Sequence, residues 1–129
     1  MKPKIYLAGW TGEKEYRQYC KDNHSYKFEL IDPLVLIPED AGDRQNYTEI
    51  VCVDKEAIRK CNGLLAYITR PSFGTSMELL FAYDVVKIPI IIVNPDGDWK
   101  DDPWLRYHSD FIVDKIDEAF YLFIKYFNL

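Results

Sequence analysis

The sequence predicts an α/β protein built on one doubly wound, five-stranded parallel sheet. Three observations lead to it. Short β-branched or aromatic runs alternate with stretches whose apolar residues recur at helical spacing. The runs at 64–69 and 88–93 are continuously apolar, as in strands covered on both faces. The chain has 129 residues, room for one compact domain over 1–129 and little else.

Taken in order, residues 4–8 (KIYLA) read as the first strand and 13–23 as the helix that returns from it. Residues 26–31 supply the second strand, and 47–60 a helix with Val51, Ala57 and Ile58 on its apolar side and Asp54 at the border. The buried run at 64–69 is the third strand, followed by a helix over 75–86; 88–93 and 111–113 are the fourth and fifth strands, and 115–127 closes the chain as a helix. Strand–helix alternation requires right-handed crossovers between parallel strands. The flavodoxin-like order 2-1-3-4-5 follows, with ligands expected beyond the strand carboxyl ends where the order reverses. That point lies between the first and third strands, so the loops 9–12 and 70–74 face it. Two longer irregular stretches, 32–46 and 94–103, carry Pro, Gly and Asp in the manner of turns and suit lids or subunit contacts.

Composition excludes several classes. With 48% hydrophobic and 29% charged residues the chain is not disordered. A net charge of −5, with acids and bases interspersed, argues against a nucleic-acid polymer as partner, which needs a basic face. Cys20, Cys52 and Cys61 have no paired spacing and read as buried thiols rather than disulfides or zinc ligands. No metal-binding set, Walker loop or GxGxxG is present, so neither metal nor cofactor is expected. His24 and His108 flank no plausible Ser or Cys nucleophile. The start, MKPKIYLAG, lacks a secretory signal, and no apolar run is long enough to span a bilayer; a cytoplasmic protein without a membrane partner is expected.

What remains is carboxylates at a sheet edge. In RPSFGTSMELLFA, 70–82, Pro71 and Gly74 turn the chain directly from a buried strand into a helix whose first N–H groups are open to polar ligands. Glu78 then lies in the first turn. Two readings compete: Thr75 to Glu78 is also a capping box, in which each side chain satisfies the other's backbone donor. Ser72 is either a turn residue or a hydroxyl aimed at a ligand. Asp54 is either a solvated helix acid or a second carboxyl of the site. Tyr6 reads as core or site, Gly9 permits close backbone approach, and Trp10 follows it as a surface aromatic over the sheet.

The ordered set IYLAGW at 5–10, D-x-x-x-I at 54–58, NGLLAYITRPSFGTSMELLFAY at 62–83 and IPIIIVNPDG at 88–97 resembles the nucleoside 2-deoxyribosyltransferase family, including the related 2′-deoxynucleoside 5′-monophosphate N-glycosidases. The resemblance covers nearly the whole chain, and PSxGTxxEL is its most specific part. It implies that Glu78 is the nucleophile, that Asp54 assists departure of the base, and that the Tyr6 hydroxyl orients the Glu78 carboxylate. It places Trp10 over base or sugar and Ser72 where the monophosphate hydrolases contact phosphate. It also implies a homo-oligomer whose sites are completed by a neighbouring subunit, in the region 104–111.

The expected activity is 2′-deoxyribosyl transfer from a deoxynucleoside to a free nucleobase through a covalent deoxyribosyl–Glu78 intermediate. The alternative is hydrolysis of a 2′-deoxynucleoside 5′-monophosphate. Against that alternative, the loop 9–13 carries no Arg and ends in the acid Glu13. A third reading keeps the fold as a nucleotide-sensing module without catalysis.

Overall fold

The computed structural model describes residues 1–36 and 46–129. Five parallel strands form one sheet in the order β2-β1-β3-β4-β5: β1 Lys4–Gly9, β2 Glu29–Ile31, β3 Gly63–Tyr67, β4 Ile90–Val93 and β5 Phe111–Val113. The helices are α1 Lys14–His24, α2 Tyr47–Arg59, α3 Phe73–Phe81, α4 Pro103–Tyr107 and α5 Ile116–Phe127, with a short 3-10 turn at Pro33–Val35. This is the flavodoxin-like arrangement that the sequence predicts. The expected lid over 32–46 falls largely outside the described residues.

Pleating decides what each face receives, because successive strand side chains point to opposite sides. Ile5 and Leu7 of β1 join Leu65, Ile91 and Val93 under α1 and α5, where Phe28, Phe120 and Phe123 fill the layer. Tyr6 and Ala8 face the other way and join Leu64, Ala66, Ile90 and Ile92 under α2 and α3 through Ile58, Leu79 and Ala82. Tyr6 therefore arrives, by parity alone, on the face that α2 and α3 cover.

Several elements differ from expectation. Strands β2 and β4 begin later than predicted, at Glu29 and Ile90, with 26–28 and 88–89 leading into the sheet. Val51 is 48% exposed rather than part of the core, because Ile58, near the C-terminal end of α2, is that helix's buried residue. Cys20 and Cys61 are buried, with burial pushing both thiols up to about 12, whereas Cys52 is exposed on α2. The short α4, within a stretch too brief to show periodicity, starts at Pro103 behind Asp102, whose carboxylate accepts from the Trp104 and Leu105 N–H groups.

The most consequential difference is at α3. The helix begins at Phe73 with Ser72 as its N-cap, two residues before Thr75. Glu78 thus lies in the second turn, not the first. It does not close a capping box: Thr75 Oγ1 donates to Ser72 Oγ at 3.2 Å, and the Glu78 carboxylate reaches β1 instead. Beyond Phe81 the chain continues as a π-helical turn, Ala82–Val86, and ends at Lys87 in the left-handed conformation with φ 62°.

Candidate active site

β3 runs directly into the Arg70–Ser72 turn and α3, so the first turns of α3 stand at the carboxyl edge of the sheet. Glu78 projects from α3 toward the sheet, and Tyr6 projects from β1 toward α3. The Tyr6 hydroxyl donates a short hydrogen bond to Glu78 Oε2. Tyr6 is fully buried, and its phenol is held neutral: burial pushes its ionisation far up, and the charges of Glu78 and Asp54 push it further.

Asp54 completes the group from α2. Its Oδ1 is buried and has no hydrogen-bond partner among the described residues. Burial raises its carboxyl to about 6, with the positive charge of Arg17 opposing. Glu78 is raised to about 7, chiefly by burial, with the Tyr6 hydrogen bond opposing, the Asp54 charge adding and Arg17 again opposing. Helix α2 is held to α3 by Phe81, whose ring faces the Lys55 ammonium at 5.3 Å and the Arg59 guanidinium at 5.1 Å. That contact sets the helix pair from which Asp54 and Glu78 both project. Two acids with raised pKa values and a neutral phenol at a strand-end edge can hold one proton between the acids and present the other as a nucleophilic or cation-stabilising carboxylate.

The loop after β1 forms one wall. Gly9 has φ 150°, a region that L side chains rarely adopt, and a Cβ there would meet the Tyr67 carbonyl oxygen at 3.0 Å. Trp10 is 38% exposed and lies across Gly12, where an added Cβ would strike the indole at 2.2 Å. Over the indole stacks Arg70, its guanidinium carbon 3.7 Å from the ring centroid. A cation from the β3–α3 loop thereby stands at the mouth that the β1 loop leaves without one. Glu13 turns aside and accepts from Thr69 Oγ1 at 2.6 Å.

Ser72 carries α3 without capping it: its side chain accepts from no helix N–H, and its carbonyl accepts from Ser76 N at 3.0 Å. Gly74 faces open space, with nothing within 4 Å of an added Cβ. The structure thus groups Tyr6, Asp54 and Glu78 directly, and sets Gly9 and Trp10 at the exit of β1, Ser72 in the loop after β3 and Gly74 in the first turn of α3.

A cleft of about 410 Å³ opens on the other flank of α3, lined by Ser72, Ser76, Met77, Leu80, Trp99 and Trp104 among others. None of Tyr6, Asp54 or Glu78 lines it, although Arg70 and Ser72 from the loop beside them do. Two residues of the site escape a reading by motif. Arg70 has no local sequence signal for stacking on Trp10. Arg17, 2% exposed, is buried beneath the β1 loop although Arg at a helix position ordinarily reads as solvated. Its place directly after Tyr16, itself buried on α1, is the only sign it offers.

No protein-family model and no curated protein sequence matches the chain. Solved structures do resemble it. A 2-deoxyribosyltransferase from Bacillus psychrosaccharolyticus aligns with a TM-score of 0.73 at 18% identity, over 90% of this chain and 89% of that one. A CMP N-glycosidase from Clostridium botulinum aligns at 0.62 and 18%, over 95% and 98%. The N-terminal domain of a lantibiotic response regulator also aligns at 0.62, with 19% identity over 99% and 97%. At these identities the likeness is one of fold, and a fold is shared by unrelated functions.

Proposed function

We propose that this chain belongs with the nucleoside 2-deoxyribosyltransferases and cleaves the N-glycosidic bond of 2′-deoxynucleosides by double displacement at Glu78. The observation that carries this reading is the Tyr6 hydroxyl bonded to the Glu78 carboxylate beside an Asp54 oxygen that is buried and unpartnered.

In this reading the charged Glu78 attacks C1′ as the C1′–N bond breaks, giving a deoxyribosyl ester, while protonated Asp54 gives its proton to the departing base. A second nucleobase, or water, then attacks C1′ from the vacated side, returns a proton to Asp54 and frees Glu78. Positive charge builds on the sugar during both steps, and a 2′-hydroxyl would oppose it inductively, which favours 2′-deoxy substrates. The chemistry needs one proton in the pair, on Asp54. Only Glu78 has a donor to support its charge, yet its deeper burial leaves its carboxyl above that of Asp54 in the free chain. The cation developing at C1′ is what draws the charge onto Glu78.

The test is incubation with a deoxynucleoside and a second free base, followed chromatographically. The exchanged nucleoside is the expected product; release of free deoxyribose alone would replace transfer by hydrolysis. Total inactivity toward nucleosides and nucleotides, with ligand binding retained, would leave the sensing module.

Arg70 favours a second substrate reading, the 2′-deoxynucleoside 5′-monophosphate. Its guanidinium over Trp10, near the uncapped start of α3 at Ser72, offers a 5′-phosphate a charged partner that the β1 loop lacks. The same assay on the monophosphate, read as release of deoxyribose 5-phosphate, tests it.

The reading also includes a homo-oligomer. Met77 and Leu80 of α3 and Trp104 of α4 are 68%, 44% and 72% exposed and give the cleft an apolar rim suited to a second copy. Sedimentation velocity showing only monomer at micromolar concentration would remove this part.

A further inference from the structure

Arg17 has no part in the reaction as described, yet it is the only Lys or Arg side chain buried among the described residues. Its position is over-determined. Nη1 donates to the carbonyls of Trp10 at 3.2 Å and Glu13 at 3.0 Å, and Nη2 to the carbonyl of Gly9 at 2.9 Å. Nε lies 3.5 Å from Asp32 Oδ1 without a hydrogen bond, while Lys21 Nζ holds the other Asp32 oxygen at 2.7 Å. The guanidinium spreads these three bonds over two nitrogens held in one rigid plane, whereas an ammonium would have to reach all three carbonyls from a single point. The side chain that faces Tyr16 on its own helix thus ties down the whole Gly9–Glu13 turn.

We propose that Arg17 is a positioning residue of the candidate site: its guanidinium, bonded to the carbonyls of Gly9, Trp10 and Glu13, fixes the loop that presents Trp10. The catalytic meaning of this assignment rests on the glycosyl-transfer reading; the assignment itself does not. Glu78 is faced by Tyr6 from β1, Asp54 from α2 and Arg17 from α1, and of these only Arg17 is a cation. Arg17 in turn is faced by Asp32, Tyr16 and Cys20, and by Lys21 through Asp32.

Two variants test it. Arg17→Met removes the fork and its charge together; Arg17→Lys keeps the charge and loses the fork. The Trp10 indole resonance, assigned with Trp10→Phe, needs no turnover to read, and it shifts or broadens in both variants. In Arg17→Lys, KM rises roughly tenfold while kcat stays within a factor of two. An unchanged Trp10 resonance in Arg17→Lys overturns the proposal, and so does a loss confined to kcat. Should Arg17→Met fail to fold, Arg17→Lys decides. Moved resonances in a protein without glycosyl activity would instead sink the reaction and leave Arg17 as assigned.

Discussion

The Tyr6 hydroxyl donates to the Glu78 carboxylate across 72 residues of sequence. One partner stands on a central strand, buried by the parity of its pleat; the other stands on the second turn of the helix that leaves the neighbouring strand. Strand pairing between β1 and β3 sets Tyr6 opposite Leu64, so the register of the sheet and the entry point of α3 together fix this contact.

Tyr6→Phe removes the donor and keeps the ring. The hydrogen bond holds the Glu78 carboxyl down against burial, so its loss raises that pKa above about 7. Because the active form carries the charge on Glu78 and the proton on Asp54, a higher Glu78 pKa leaves less of the protein in that form. At neutral pH kcat/KM falls roughly 10- to 100-fold, while the alkaline limb of its profile moves to higher pH. A pH series on both proteins checks this.

Glu78→Gln abolishes the nucleophile and lowers turnover roughly a thousandfold or more. It also stabilises the protein at alkaline pH. Glu78 moves from 4.5 to about 7 on folding, so the native state binds the proton more tightly than the unfolded one. The wild type therefore keeps its full stability below about 4.5 and loses some as pH rises through 7, a loss on the order of 1–3 kcal/mol that the amide escapes. Urea denaturation at pH 5 and pH 8 reads the difference: near parity at the lower pH, with the variant ahead at the higher.

Asp54→Asn removes the proton donor to the base. Turnover of ordinary deoxynucleosides falls roughly 100-fold or more, while an activated aryl deoxyriboside, whose leaving group needs no proton, is nearly spared. Parallel kinetics on the two substrates tests the role directly; equal losses would assign Asp54 to something other than base departure.

Arg70→Ala separates the two substrate readings. Loss of the guanidinium raises KM for a 5′-monophosphate about tenfold and leaves the unphosphorylated nucleoside within a factor of two. Equal KM changes for both substrates would confine Arg70 to holding Trp10.

Gly9→Ala costs stability through the backbone. The residue holds φ 150°, and the new methyl would press on the Tyr67 carbonyl at 3.0 Å. A destabilisation of about 1–3 kcal/mol follows, measurable as a lowered urea midpoint with an unchanged slope.

The sheet order and the helices on its two faces were legible because continuous apolar runs such as 88–93 and helical periodicity such as that of 115–127 report burial directly. Boundaries were less so: Thr75 and Glu78 satisfy the spacing of a capping box, and only the three-dimensional course of the chain shows the helix already under way at Phe73. The carboxyl pair was found by its place at the strand ends and by family likeness, not by any local pattern, since an acid on a helix such as Asp54 ordinarily faces water. Arg17 and Arg70 were not legible at all. Each acts across a tertiary contact, one through loop carbonyls and one through an indole face, and neither leaves a mark on spacing or periodicity.

The early start of α3 has a further implication. Six residues of helix, counted from Phe73, set the bearing of Glu78 around the axis, and each residue turns that bearing by about 100°. Deleting a single residue between Ser72 and Glu78 would swing the carboxyl off Tyr6 and around the helix, even with every strand intact. The stretch joining β3 to this position behaves as a measured spacer, intolerant of changes in length. The longer 94–103 connection carries no such angular constraint on the carboxyl pair, and length variation there can reshape the apolar rim while leaving the chemistry aligned.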